Sequence, residues 1–171
     1  MLIAHLPAGY LLTTVMQARA RVWSRSVMTT GLVAGVLPDV DLLWFYLVGD
    51  RQVVHHAYLT HLPLFWIALA TPAWMVARVL NLPRAGLLIG VALANLLLHM
   101  ALNAVAAGIW WLWPLSDVEV NLARVPAQYD WWVWSFVLHW TFALEVMIVA
   151  AAAVLWGVQQ RRKLRWPPVC S

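Results

Sequence analysis

The sequence predicts an all-α membrane protein, a single bundle of four to five transmembrane helices over residues 1–171. Three observations predict it. Hydrophobic residues make up 64% of the chain and charged residues only 11%, where a soluble domain carries about 25% charged. The apolar residues gather into five long segments, and the basic residues stand at the ends of those segments. A soluble chain of 171 residues must still cover itself with polar groups, and this one has too few to do so.

A helix needs about 20 mostly apolar residues to cross the hydrocarbon core. Segments at roughly 2–18, 27–48, 62–80, 85–112 and 131–158 come close. The first is the shortest and leaves open a full crossing, an interfacial helix or a re-entrant one. Arg19, Arg21 and Arg25 lie between the first two segments, and Arg78 and Arg84 flank the turn Asn81-Leu82-Pro83. Arg161, Arg162, Lys163 and Arg165 mark a basic tail, 159–171. Basic loops stay on the cytoplasmic side. With all three basic sites there, five spans alternate without contradiction, the N-terminus faces outward and the C-terminus is cytoplasmic. The outer loops are then 49–61 and 113–130, the second carrying Asp117, Glu119 and Asp130.

Other features fit this frame. No positive region precedes Leu2–Met16, so the N-terminus does not read as a cleavable signal peptide. The net charge of +4 owes much to the tail cluster, which suits positive-inside anchoring and not a nucleic-acid groove. The single cysteine, Cys170, permits no internal disulfide and no zinc ribbon. Six of the 13 tryptophans bracket the second outer loop, as an aromatic belt at the headgroup level does. Gly31-x-x-x-Gly35 is a small-xxx-small pattern suited to close helix packing.

The few polar residues inside apolar segments carry the functional information. An ionisable side chain in a span costs about 2.5–3.5 kcal/mol on insertion scales, so it is kept for a reason. Here they are Asp39, Asp41, His99, His139 and Glu145, with His5, His55, His56 and His61 near span ends. On the topology above, all six histidines and both aspartates fall in the outer half or near the midplane. The topology rests on Lys and Arg alone, so this clustering is independent of it. Imidazoles with carboxylates suit a first-row divalent metal such as zinc, manganese or iron. Asn95, His99 and Asn103 recur every four residues, one polar stripe on a helix. Pro38 should disturb its helix beside two carboxylates. Taken singly, a membrane histidine is often a helix–helix hydrogen-bond partner, as His139 beside Ser135 can be, and Glu145 can pair with a neighbour.

Four short stretches, in order, carry a family resemblance. They are His5 before Pro7-Ala8-Gly9; Gly35-Val36-Leu37-Pro38-Asp39-Val40-Asp41; His55-His56-Ala57-Tyr58-Leu59-Thr60-His61; and His99-Met100-Ala101-Leu102-Asn103, followed by Gly108 and Leu112-Trp113-Pro114. The chain resembles the YdjM-like family of inner-membrane-associated metal-dependent hydrolases. That family carries Pro-Asp-x-Asp, His-Arg-Gly-x-Thr-His, His-x-x-x-Asp and Gly with Leu-Trp-Pro. The sequence departs from it at Ala57, Tyr58 and Asn103, where the family has arginine, glycine and aspartate. Loss of the arginine removes an anion clamp, and Asn103 keeps a neutral oxygen without a charge or a base function. Such changes point to an altered substrate, weakened metal binding or lost catalysis.

The resemblance implies a multi-pass protein of the bacterial inner membrane, with lipid around it, that carries out metal-dependent hydrolysis. The depth of the polar cluster suggests a lipid-derived or membrane-soluble ester or phosphoester as substrate. On this reading Asp41, His56, His61, His99 and His5 hold a divalent metal, zinc or manganese first. Asp39 is a general base or further ligand, and His55 an alternative base. Asn103, His139 and Asn95 stand behind them or against substrate. The rival reading is a non-enzymatic accessory or scaffold subunit of a larger membrane complex, which the altered motif residues and the tryptophan-rich surface favour. A small transporter or proton relay is a third, weakened because the cytoplasmic half offers no matching polar path.

Overall fold

The structure, a computed structural model, describes residues 1, 3–41 and 58–165. Helix α1, His5–Ala20, runs to a tight turn in which Arg21 takes a left-handed conformation (φ 54°) and the Val22 N–H returns to the Gln17 carbonyl. The buried Gln17 side chain accepts the Ser24 N–H at 2.8 Å, fixing where the next helix begins. Helix α2, Arg25–Val36, is stopped by Pro38, and the chain tightens into a 3-10 turn over Leu37–Val40. A second 3-10 turn, Leu59–His61, precedes α3, Pro63–Val79. Helix α4, Pro83–Ala106, follows a turn with Asn81 at positive φ. Proline starts both α3 and α4, where a missing N–H costs nothing.

Beyond α4, Ile109–Trp110 (β1) and Glu119–Val120 (β2) pair antiparallel, with Ile109 opposite Val120. This hairpin packs on the last turns of α4 through Ile109, Met100 and Ala104. The short helix α5, Trp132–Val137, then leads through a turn into α6, Thr141–Arg165. Helix α4 is central: α1, α2 and α3 all pack along it, while α6 packs on α1.

Glycine sets the closest of these approaches. Gly31 of α2 receives the Thr13 side chain of α1, and a Cβ there would overlap it. Asn95 of α4 donates to the Thr13 hydroxyl at 3.1 Å, so three helices meet at one buried polar contact. The expected small-xxx-small packing at Gly31 and Gly35 is therefore the α1–α2 contact.

The molecule is helical, as expected, but its elements differ from the five apolar segments. Among the described residues two helices are long and apolar enough to cross a membrane, Pro83–Ala106 and Thr141–Arg161. Helix α3 is apolar but shorter, at 17 residues. The 16-residue α1 and 12-residue α2 rise about 24 and 18 Å, short of a hydrocarbon core of about 30 Å. Residues 42–48 of segment 27–48 lie outside the described residues. Segment 85–112 yields a helix only to Ala106, because Ala107 is extended and feeds the hairpin. Segment 131–158 is broken around Leu138–Trp140, and its second helix runs on to Arg165. Gln159, Gln160, Arg161 and Lys163 are polar yet strong helix formers, so the helix outlasts the apolar run.

Candidate metal centre

Four elements deliver the cluster. His5 is the first residue of α1, Asp39 sits in the 3-10 turn after α2, His61 ends the 3-10 turn before α3, and His99 lies on the buried face of α4. His99 is set first. Its Nδ1–H donates to the Gly35 carbonyl at 2.9 Å, which leaves Nε2 as the nitrogen with a lone pair. The His5 ring stacks on it, with centroids 3.8 Å apart and planes 18° apart. Both histidines are buried, and His5 Nε2 has no hydrogen-bond partner among the described residues.

Asp39 stands between the rings. Its Oδ1 lies 3.5 Å from His99 Nε2 and 3.7 Å from His61 Nε2, and its Oδ2 lies 3.8 Å from His5 Nδ1. One donor atom each from His5, Asp39 and His99 falls within a 4.8 Å sphere of mutual distances. Two imidazole nitrogens and a carboxylate oxygen are the donor set of a first-row divalent ion. With His5 Nε2 lacking a hydrogen-bond partner among the described residues, these residues fit a metal. Asp39 is also the exposed member, with 30% of its side chain open where the histidines are nearly closed off.

Asp41 lies behind His61. Its Oδ2 accepts the His61 Nδ1–H at 2.6 Å and the Thr60 hydroxyl at 2.6 Å. This turns His61 Nε2 toward Asp39. In a tight turn of about three residues, side chains two apart point in different directions, so Asp39 and Asp41 serve different faces. Burial works against charge on His61, but hydrogen bonds to Asp39 and Asp41 outweigh it and raise its pKa above the ordinary histidine value. The two carboxylates thus favour its protonated form, and a cation bound beside them would compete with that proton. The Thr60 carbonyl is in turn held by Trp66 Nε1–H at 2.8 Å.

Asn103, one turn beyond His99, donates from Nδ2 to His99 Nε2 at 3.1 Å and accepts the Met1 ammonium at Oδ1, 2.6 Å away. The amide thus offers its nitrogen, not its oxygen, to the cluster. Asn95, expected behind the cluster, lies one turn the other way and joins α4 to Thr13 and to the Val91 carbonyl. His139, expected to complete the site, sits in the turn before α6 and pairs with the Thr141 hydroxyl at 2.9 Å. His55 and His56, with Ala57, lie outside the described residues.

Glu145 was absent from the expected site and bears on it directly. It is fully buried on α6, and its Oε2 accepts the backbone N–H groups of Ile3 and Ala4 at 2.6 and 3.1 Å. Those amides precede α1 and have no intrahelical partner, so Glu145 anchors the segment that presents His5. A lone acid in an apolar helix was the available signal; its partners, being backbone amides, leave no trace in sequence.

These features define a small helical protein with apolar helices of membrane-spanning length around a buried histidine–carboxylate cluster. The chain belongs to the YdjM inner membrane protein family, whose sequence profile matches residues 1–165. No curated protein and no solved structure matches it.

Proposed function

We propose that the protein is a metal-dependent hydrolase embedded in the bacterial inner membrane, acting on a lipid-derived or membrane-soluble ester or phosphoester. The observation that carries this reading is the convergence of His5, Asp39 and His99 from three separate elements within 4.8 Å. These three residues would hold a divalent ion, zinc or manganese. When bound, such an ion supplies Lewis acidity and acidifies water. Asp39, partly open to the outside of the cluster, faces arriving substrate. His61 takes and returns the proton at Nε2, and Asp41 holds its tautomer and orientation through Nδ1. The two aspartates thus exchange the roles their motif suggests: Asp39 is the ligand, and Asp41 acts through His61. Around the cluster the reading keeps four or five crossings, with the cluster toward the outer leaflet and the C-terminus cytoplasmic.

The test is metal content and activity measured on the same detergent-purified samples. His99→Ala should lose stoichiometric metal. His61→Ala should retain it and lose turnover of a model phosphoester. Unmutated protein that holds no divalent metal at neutral pH sinks the reading.

A second reading has its own support. The Asn103 amide nitrogen occupies the His99 lone pair, where the resembled family has an aspartate. A cluster closed in this way suits a non-catalytic subunit of a membrane complex. Stable partners retained through purification in mild detergent, together with absence of metal, would establish it.

A further inference from the structure

Helix α1 packs against both α2 and α6. Toward its C-terminal end the three helices bound a cleft of about 720 Å³. The floor is one stripe of α1, Tyr10, Thr14 and Gln17, spaced by four and three residues. Arg25 and Met28 of α2 form one wall, and Trp156, Gln159 and Gln160 of α6 the other. Trp23 also lines the cleft, and it and Trp156 are both more than half exposed.

The polar groups of the floor are not equally provided for. Gln17 accepts the Ser24 N–H at 2.8 Å, and Tyr10 donates its hydroxyl to Gln159 at 2.8 Å, joining floor to wall. Thr14 is 6% exposed, and its hydroxyl has no hydrogen-bond partner among the described residues. Buried hydroxyls are nearly always partnered, so this one points to a group that the cleft receives. The start of α2 is in the same condition. Ser24, at its N-cap, makes no capping bond, and its hydroxyl pairs with that of Ser26 instead. The first-turn N–H groups of this 12-residue helix thus have no side-chain acceptor from Ser24.

The charge at this end has one sign. Arg25 lines the cleft and no carboxylate does, and Arg25 has no ion pair among the described residues. Residues 1–38 and 146–171 contain no acid, but they hold Arg19, Arg21, Arg25 and Arg161. The α6 wall also fixes a depth. Leu155 and Val158 line it, and the apolar run then gives way to Gln159-Gln160-Arg161. The cleft therefore sits where a helix long and apolar enough to span turns polar, the level of lipid headgroups, where exposed tryptophans belong.

We infer that this cleft binds the phosphodiester head of an anionic phospholipid. Arg25 and the first turn of α2 face the phosphate, the Thr14 hydroxyl donates to it, and Leu155, one turn deeper on α6, meets the root of an acyl chain. A free phosphate would satisfy the donors but leave the apolar wall unused. A zwitterionic lipid would bring a second cation to a site that holds an arginine and no acid. The bound lipid would clamp α1, α2 and α6 together at the end of α1 opposite His5. The inference does not rest on the hydrolase reading.

Native mass spectrometry of the full chain in detergent tests this, with phosphatidylglycerol and phosphatidylcholine of matched acyl chains as probes. The first phosphatidylglycerol should bind about fivefold or more tighter than the first phosphatidylcholine, the scale of one basic residue at an anionic surface. Arg25→Gln should remove most of that preference. Thr14→Val keeps the shape and deletes a hydroxyl that has no partner among the described residues. It should leave the lipid-free unfolding midpoint unchanged and weaken phosphatidylglycerol binding about twofold or more. Arg78→Gln, at an exposed arginine on α3 outside the cleft, should change nothing. Excess glycerol 3-phosphate should not displace the lipid; displacement would make this a site for free phosphate and overturn the proposal. Equal affinity for the two lipids overturns it, as does unchanged affinity in either cleft variant or an equal drop in Arg78→Gln. So does failure to bind either lipid, as when another part of the chain fills the cleft. Should Thr14→Val not fold, Arg25→Gln, at an exposed position, decides alone.

Discussion

At the scale of single residues, the cluster was legible because polar side chains are costly in apolar segments and therefore few. His5, Asp39, His61, His99 and Asn103 stand out in the sequence on that ground, and the structure brings them together. What could not be read was which neighbours each carboxylate of Pro38-Asp39-Val40-Asp41 meets, since the direction of each depends on a 3-10 turn that the motif does not encode. Asn103 yields a prediction. Replacing its amide by a carboxylate removes the donor to His99 Nε2 and adds negative charge beside the proposed cation site. Asn103→Asp should tighten divalent metal binding by about tenfold or more, on the scale of outer-shell effects, measured by competition with a chelator. Unchanged affinity would mean that Asn103 does not compete for the site. Glu145 yields another. Glu145→Gln keeps the shape but loses the charged acceptor of two backbone amides. Hydrogen bonds to charged groups contribute about 1.5–3 kcal/mol each, so thermal stability in detergent should fall clearly and metal affinity with it. A variant as stable as the parent would show that the anchor is not needed.

At the scale of elements, hydropathy located helices but not their ends. It tracks apolarity, while helix limits obey backbone rules. Thus α2 stops where Pro38 forbids it to continue, and α6 runs beyond its apolar stretch because glutamine, arginine and lysine suit a helix. The α1–α2 contact is the element-scale feature most open to test. Thr13 is pinned by Asn95, so it cannot swing aside from a new methyl at Gly31. Gly31→Ala should cost about 1–3 kcal/mol, the usual range for overpacking, seen as a lower unfolding midpoint. Thr13→Ala should recover part of that loss. Additive losses in the double variant would place the strain elsewhere.

At the scale of the whole molecule, the chain reads as a family of elements gathered on α4, with polar contacts at Thr13, Asn95, His99 and Asn103 threading an apolar body. The number of crossings was the least legible property. Three of the expected spans are too short or only partly described for length alone to decide. Sidedness can be measured directly. A membrane-impermeant maleimide should reach Cys170 only from the cytoplasmic side. In a Cys170→Ser background, Ser116→Cys in the second loop should label only from the opposite side. Labelling of both from one side would overturn the orientation drawn from the arginines.

The bond from Glu145 to Ile3 and Ala4 joins positions 142 and 141 residues apart. During synthesis the His5 segment leaves the ribosome among the first parts of the chain, and Glu145 among the last. The cluster therefore cannot be finished by a growing chain: until α6 has been made and inserted, His5 lacks its tether. The histidine–carboxylate cluster is completed only at the end of biogenesis, and a chain cut short before α6 carries its histidines without the Glu145 anchor.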